Sequence, residues 1–158
     1  MVGRCVARGA FGLSVLESLR RIQQIAFEAA LLWSRMYGDL IGGQPTKQYE
    51  RLFAQLDSEA LAVRGEGARK AADRLHPMLV SLAGFAGLAR SRKDLRAAFE
   101  THSDSGLPML AESIAVERRK FNNLMKKLDP EWRPVPMIAF PEGTEPYIKA
   151  TEAEEWRQ

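Results

Sequence analysis

Between Val15 and Leu40, apolar side chains recur at steps of three and four residues, as Val15, Ile22, Ile25, Ala29, Leu32, Met36 and Leu40. With 3.6 residues per helical turn, that spacing collects them on one face. Glu17, Arg21, Gln24, Glu28, Arg35 and Asp39 fall opposite, and Glu17 stands at the favourable i, i+4 spacing from Arg21. Ser14 followed by Glu17 has the spacing of a reciprocal N-terminal cap, and nothing interrupts the pattern before Gly42-Gly43. The pattern therefore predicts a helix starting at Ser14, about 28 residues and about 42 Å long. From Ile25 onward a second flank is apolar too, with Phe27, Leu31, Trp33, Tyr37 and Ile41. Such a helix must meet several neighbours, either at the centre of a bundle or as an interface between two copies.

Gly42-Gly43-Gln44-Pro45 reads as a turn, with Thr46 placed to cap a second helix whose Tyr49, Leu52, Phe53, Leu56, Ala60 and Val63 form one stripe. After Arg64-Gly65-Glu66-Gly67 a third helix is expected from about Ala68 to Leu75, which Pro77 kinks or restarts. Met78 to Ala89 is apolar nearly all round, the mark of a central helix, and Gly84 and Gly87 leave room for a neighbour. Ser91 and Asp94 form a second capping pair, opening a short helix with Leu95, Ala98, Phe99 and His102 on one side. The last helix is expected from near Pro108 to Leu128, with Leu110, Ile114, Phe121, Leu124, Met125 and Leu128 as its apolar face.

Residues 129–158 hold five of the eight prolines, so an extended tail is expected there. Its Trp132, Val135, Met137, Ile138, Phe140 and Tyr147 are too apolar for a free linker, and part of it should lie along a groove on the bundle. The expected architecture is all-α. A four- to five-helix bundle over 14–128, with a long first helix, follows a flexible 1–13 segment and precedes the Pro-rich acidic tail, 129–158.

Composition changes this picture little. With 158 residues, 46% of them hydrophobic and 27% charged, the chain is long enough for one well-buried core. Cys5 is the single cysteine, which rules out an intramolecular disulfide and favours a reducing, cytoplasmic setting. The N-terminal residues lack the apolar run of a signal peptide. The longest apolar stretch, Met78 to Ala89, falls short of the roughly 20 residues of a membrane span, so no membrane is expected. Charge is more informative, because seven acidic residues after position 128 leave the preceding body at +7 although the whole chain carries +3. A basic body attracts phosphates, an acidic partner or its own tail.

Chemical signatures are sparse. Two histidines and one cysteine do not make a cysteine-histidine zinc site, no phosphate-binding glycine loop or dinucleotide pattern is present, and neither metal nor cofactor is expected. Asp73-x-x-His76 lacks the further carboxylates of a di-iron bundle, and His76 before Pro77 reads most simply as a helix-end residue. Glu117 falls within an apolar arc and requires a partner, such as an arginine on a neighbouring helix, or an edge open to water.

Arg96 and His102, separated by five residues at the end of a short helix, resemble in spacing the Arg-x(4–6)-His signature of HEPN-type ribonucleases, although Ala97 stands where a polar residue is usual. That resemblance implies a histidine moving a proton while an arginine stabilises phosphate charge, with two copies meeting across a dimer. Alternatively, His102 simply continues the Leu95–Ala98–Phe99 face and complements a helix C-terminus. Arg90, Arg92, Lys93 and Arg96, and Arg119, Lys126 and Lys127 on the last helix, form basic clusters that neutralise phosphates or meet an acidic partner if their faces adjoin. The expectation is a small helical interaction or adaptor protein that works by docking, as a homo-oligomer through Phe27, Leu31, Trp33, Tyr37 and Ile41. Nucleic-acid binding through the basic faces, with HEPN-like cleavage by Arg96 and His102, is the alternative.

Overall fold

The computed structural model describes residues 2–100 and 106–136, with side chains from 15 to 98 and from 106 to 136. Among them five helices follow in the order α1 (Val2–Ile41), α2 (Lys47–Leu61), α3 (Glu66–Leu88), α4 (Arg92–Glu100) and α5 (Gly106–Leu128), with no strand. The all-α bundle with a long first helix is the observed fold. None of the helices described is long and apolar enough to cross a membrane. His102, and the tail anchors Met137, Ile138, Phe140 and Tyr147, lie outside the described residues.

Helix α1 does not begin at Ser14. It starts at Val2 and runs for 40 residues, about 60 Å, so the Ser14–Glu17 pair lies inside it and marks no boundary at 13. Val2 to Leu13 contains no proline, and a glycine weakens a helix by only about 1 kcal/mol. A capping pair marks a start only where the preceding backbone leaves the helical path. Arg21 also turns away from the wet face of α1, placing Nη2 3.1 Å from the Glu59 carboxylate of α2.

Ile22, Ile25, Ala29, Met36 and Leu40 are fully buried, as their spacing requires. At Trp33 the second flank faces the bundle centre. Trp33 is 1% exposed and meets Phe85 of α3 edge-on, with ring centroids 5.0 Å apart; Tyr37 stacks beside it at 6.4 Å. Trp33 therefore belongs to the core and not to an interface between copies.

The other helices align by specific contacts. Helix α2 runs back along α1, the Tyr49 hydroxyl donating to the Asp39 carboxylate. Helix α3 reverses again. His76 Nδ1 lies 2.8 Å from an Asp57 oxygen, and Gly87 sits so near Glu50 that an added Cβ would stand 3.0 Å from its carboxylate. Helix α5 is antiparallel to α3, with the Ser81 and Ser113 hydroxyls 2.8 Å apart and Gly84 against Leu110. Glu117 finds its partners here, Arg74 of α3 at 3.7 Å and Lys120 at 3.6 Å.

Local expectations at Pro77 and Thr46 need correction. Of the two readings of Pro77 the restart does not occur, since α3 runs through it, and His76 is consequently an interior residue of α3. The ring leaves the carbonyl of Asp73 without its usual donor, but Asp73 is exposed, where such a loss costs least. The Thr46 hydroxyl does not cap α2; it crosses to donate to the carbonyl of Ala89 at 3.2 Å, tying the start of α2 to the end of α3. The Ser91–Asp94 pair does cap α4, with the Asp94 N–H donating to Ser91 Oγ at 3.1 Å and the Asp94 carboxylate accepting from the N–H of Arg90.

Beyond α5 the chain doubles back along that helix. Trp132 and Val135 are buried, so the expected packing of the tail on the bundle is seen for its first residues. Helices α1 and α5 barely approach each other, and Trp132 is wedged between them, 6.0 Å from Phe27 and 5.5 Å from Phe121 by ring centroids. Asn122 Oδ1 accepts from the Val135 N–H at 2.9 Å and from Trp132 Nε1 at 3.2 Å. Arg118 Nη1 and Asn122 Nδ2 donate to the Val135 carbonyl at 3.0 and 3.3 Å. The Asn122 amide thus supplies both backbone partners that a neighbouring strand would provide.

Candidate docking surface

Along the α1–α2 edge the apolar stripe is left open. Glu28, Leu31, Leu32 and Arg35 of α1, with Leu52, Gln55, Leu56 and Glu59 of α2, line a groove of about 280 Å³. Leu31 is 61% exposed and Leu52 37%, although Leu52 shares the stripe of buried Tyr49, Phe53 and Leu56. The reason lies in the wheel. Leu31 points outward between α1 and α2, while Leu32, one position on, turns under α2 and is half-buried.

Charge alternates along this edge. Arg21, Glu28 and Arg35 stand seven residues apart and so lie nearly in line, giving plus, minus, plus. Arg21 Nη1 reaches Glu28 at 3.9 Å while its Nη2 holds Glu59. At the other end of the groove, Tyr49 fastens α2 to Asp39. Burial raises the pKa of its phenol above the ordinary value near 10, the hydrogen bond and negative charge of Asp39 raise it further, and Arg35 opposes them. The proton therefore stays on Tyr49 at neutral pH, and both walls of the groove are anchored to each other at both ends.

The expected oligomer residues separate into two sets. Phe27 is half-buried under Trp132, Trp33 is core and Tyr37 is half-buried beside it, whereas Leu31 and Ile41 remain exposed. Leu31 lines the groove; Ile41, the last residue of α1, does not.

The basic clusters do not merge into one face. Arg90, Arg92, Lys93 and Arg96 are exposed around the start of α4, beside the N-terminal end of α5, where Gly106 abuts Leu88. Lys126 and Lys127 are exposed at the opposite end of α5, about 30 Å away at 1.5 Å per residue. Arg118, between them, is buried and holds the backbone of Val135, and Arg119 is half-buried. Arg96 is described but His102 is not, so the Arg–His pair is not drawn as a site.

Two further features are visible. The His76–Asp57 pair bridges α3 and α2 at an exposed position, and a cavity of about 310 Å³ opens at the start of α3 between Val15, Ser18, Gly65, Lys70 and Leu128. No group of three or more histidine, cysteine, aspartate or glutamate side chains positioned for a metal ion occurs among the described residues.

Fold and groove together define a helical bundle with an exposed apolar seam between its first two helices. Comparison of the chain with protein-family models, with curated proteins and with solved structures found no match.

Proposed function

We propose that the chain is a docking protein that receives an amphipathic helix in its α1–α2 groove. The observation that carries this reading is Leu31, a large apolar side chain 61% exposed beside Leu52 and over Leu32 and Leu56. Grooves of this kind take helices whose apolar residues recur at i, i+3, i+4 and i+7. The surrounding Glu28, Arg35, Gln55 and Glu59 form the polar rim that fixes orientation. Nucleic-acid binding has less support, because the two basic groups stand at opposite ends of α5.

The test is a titration of the full chain with a designed three-heptad amphipathic peptide carrying leucine at its a and d positions and mixed Glu and Lys elsewhere. Saturable shifts of the Leu31, Leu32, Leu52 and Leu56 methyl NMR signals, absent in Leu31→Arg, are the expected result. Methyl signals that stay unmoved at millimolar peptide would overturn the reading.

A further inference from the structure

The docking face of α1 is complementary to itself. Glu28 and Arg35 lie three residues before and four residues after Leu31, on the same edge of the helix and with opposite charge. A two-fold axis passing beside Leu31, perpendicular to α1, sets two copies of this helix antiparallel. Residue i of one then faces residue 63 minus i of the other, by simple addition of Glu28 and Arg35. Each Glu28 meets an Arg35, the contact occurs twice, and Leu31 sits at the axis against the leucines of the partner groove. This is the self-complementarity that an isologous dimer interface requires.

From the geometry we infer that the occupant of the α1–α2 groove is a second copy of this chain, docked antiparallel about Leu31. The inference rests on the docking reading above and names its partner. The ends of the face are open. Gln24 and Gly38, one turn further out at its two ends, are both exposed, and no side chain covers Gly38, nothing beyond the helix's own backbone lying within 4 Å of where a Cβ would stand. From Gln24 to Gly38 the face runs about 21 Å along α1, a small interface, and association in the micromolar range is expected.

Symmetry supplies the test. Sedimentation velocity of the full chain between about 5 and 200 μM measures the dimer constant. Glu28→Arg alone and Arg35→Glu alone should each weaken self-association by roughly tenfold or more, because both symmetry-related contacts become like-charged. An equimolar mixture of the two variants should restore dimerisation to near the wild-type constant, since each chain then carries the charges that the other lacks. The double variant E28R/R35E should do the same alone. Circular dichroism confirms that the variants keep their helices, Glu28 and Arg35 being surface charges.

A wild-type monomer at 200 μM overturns the inference, and so does a dimer whose constant ignores both single variants or is not rescued by mixing. The docking reading survives that failure if the designed peptide still moves the Leu31 and Leu52 methyl signals. If the peptide also fails, both fall.

Discussion

Two residues four apart on α1 show what completes this bundle and what leaves it open. Phe27 lies under Trp132, which fills the gap between α1 and α5, whereas Leu31, one turn further along, is 61% exposed. Both belong to the same apolar flank. They differ because the chain returns after α5 to cover one side of α1, held there by Asn122 and Arg118, while α2 stops short of covering the other. An apolar stripe wider than one contact face is closed within the chain on one edge and available to a partner on the next.

The largest expected effect tests the closed side. Trp132→Ala removes a side chain buried between two aromatic rings and should cost about 3–5 kcal/mol in urea unfolding, with Phe27 gaining exposure. A cost under about 0.5 kcal/mol, the range of ordinary surface changes, would mean that the segment after α5 does not close the bundle.

A smaller effect is expected at the hinge between the two sides, where Tyr49 ties α2 to Asp39. Tyr49→Phe should cost about 1 kcal/mol, the net worth of a typical intramolecular hydrogen bond. The sign of the pH dependence follows from the raised pKa. Folding favours the protonated phenol, so its contribution is whole below the ordinary tyrosine value near 10 and is lost as pH rises through the higher folded value. Urea midpoints of wild type should therefore fall between about pH 9 and pH 12 more steeply than those of Tyr49→Phe. Equal slopes would remove Tyr49 as the cause.

The smallest effect on the fold belongs to the open side. Leu31→Arg should change unfolding free energy by no more than about 0.5 kcal/mol, measured at low protein concentration, since an exposed side chain away from special contacts is nearly neutral. A loss comparable to that of Trp132→Ala would show that Leu31 is covered within its own chain and would erase the comparison.

Much of the fold was legible because helical periodicity is a local property. The buried face of α1, the stripe of α2, the α4 cap and the span of α5 each follow from a few neighbouring residues. The errors arose where a local signal had a distant competitor. Thr46 has the chemistry of a cap, yet its hydroxyl is taken by Ala89 across the bundle. Pro77 carries a helix-breaking signal, but packing on both sides of it keeps α3 continuous.

The candidate groove was half legible. Leu31 was one of five residues on the second flank, and Glu28 and Arg35 fell on the wet face. Leu52 gave no such sign, because its position in a core stripe looks the same whether or not a neighbour arrives. Asn122 was equally silent, an ordinary polar residue until Val135 is brought against it.

The amino-acid sequence alone determined that this chain forms amphipathic helices around one long apolar-flanked helix, since side-chain spacing along a helix decides which residues share a face. Only tertiary structure decided which apolar flank is used up. Trp132 reaches Phe27 from the far end of the chain, and whether a side chain is covered depends on surfaces that meet across more than a hundred residues of sequence.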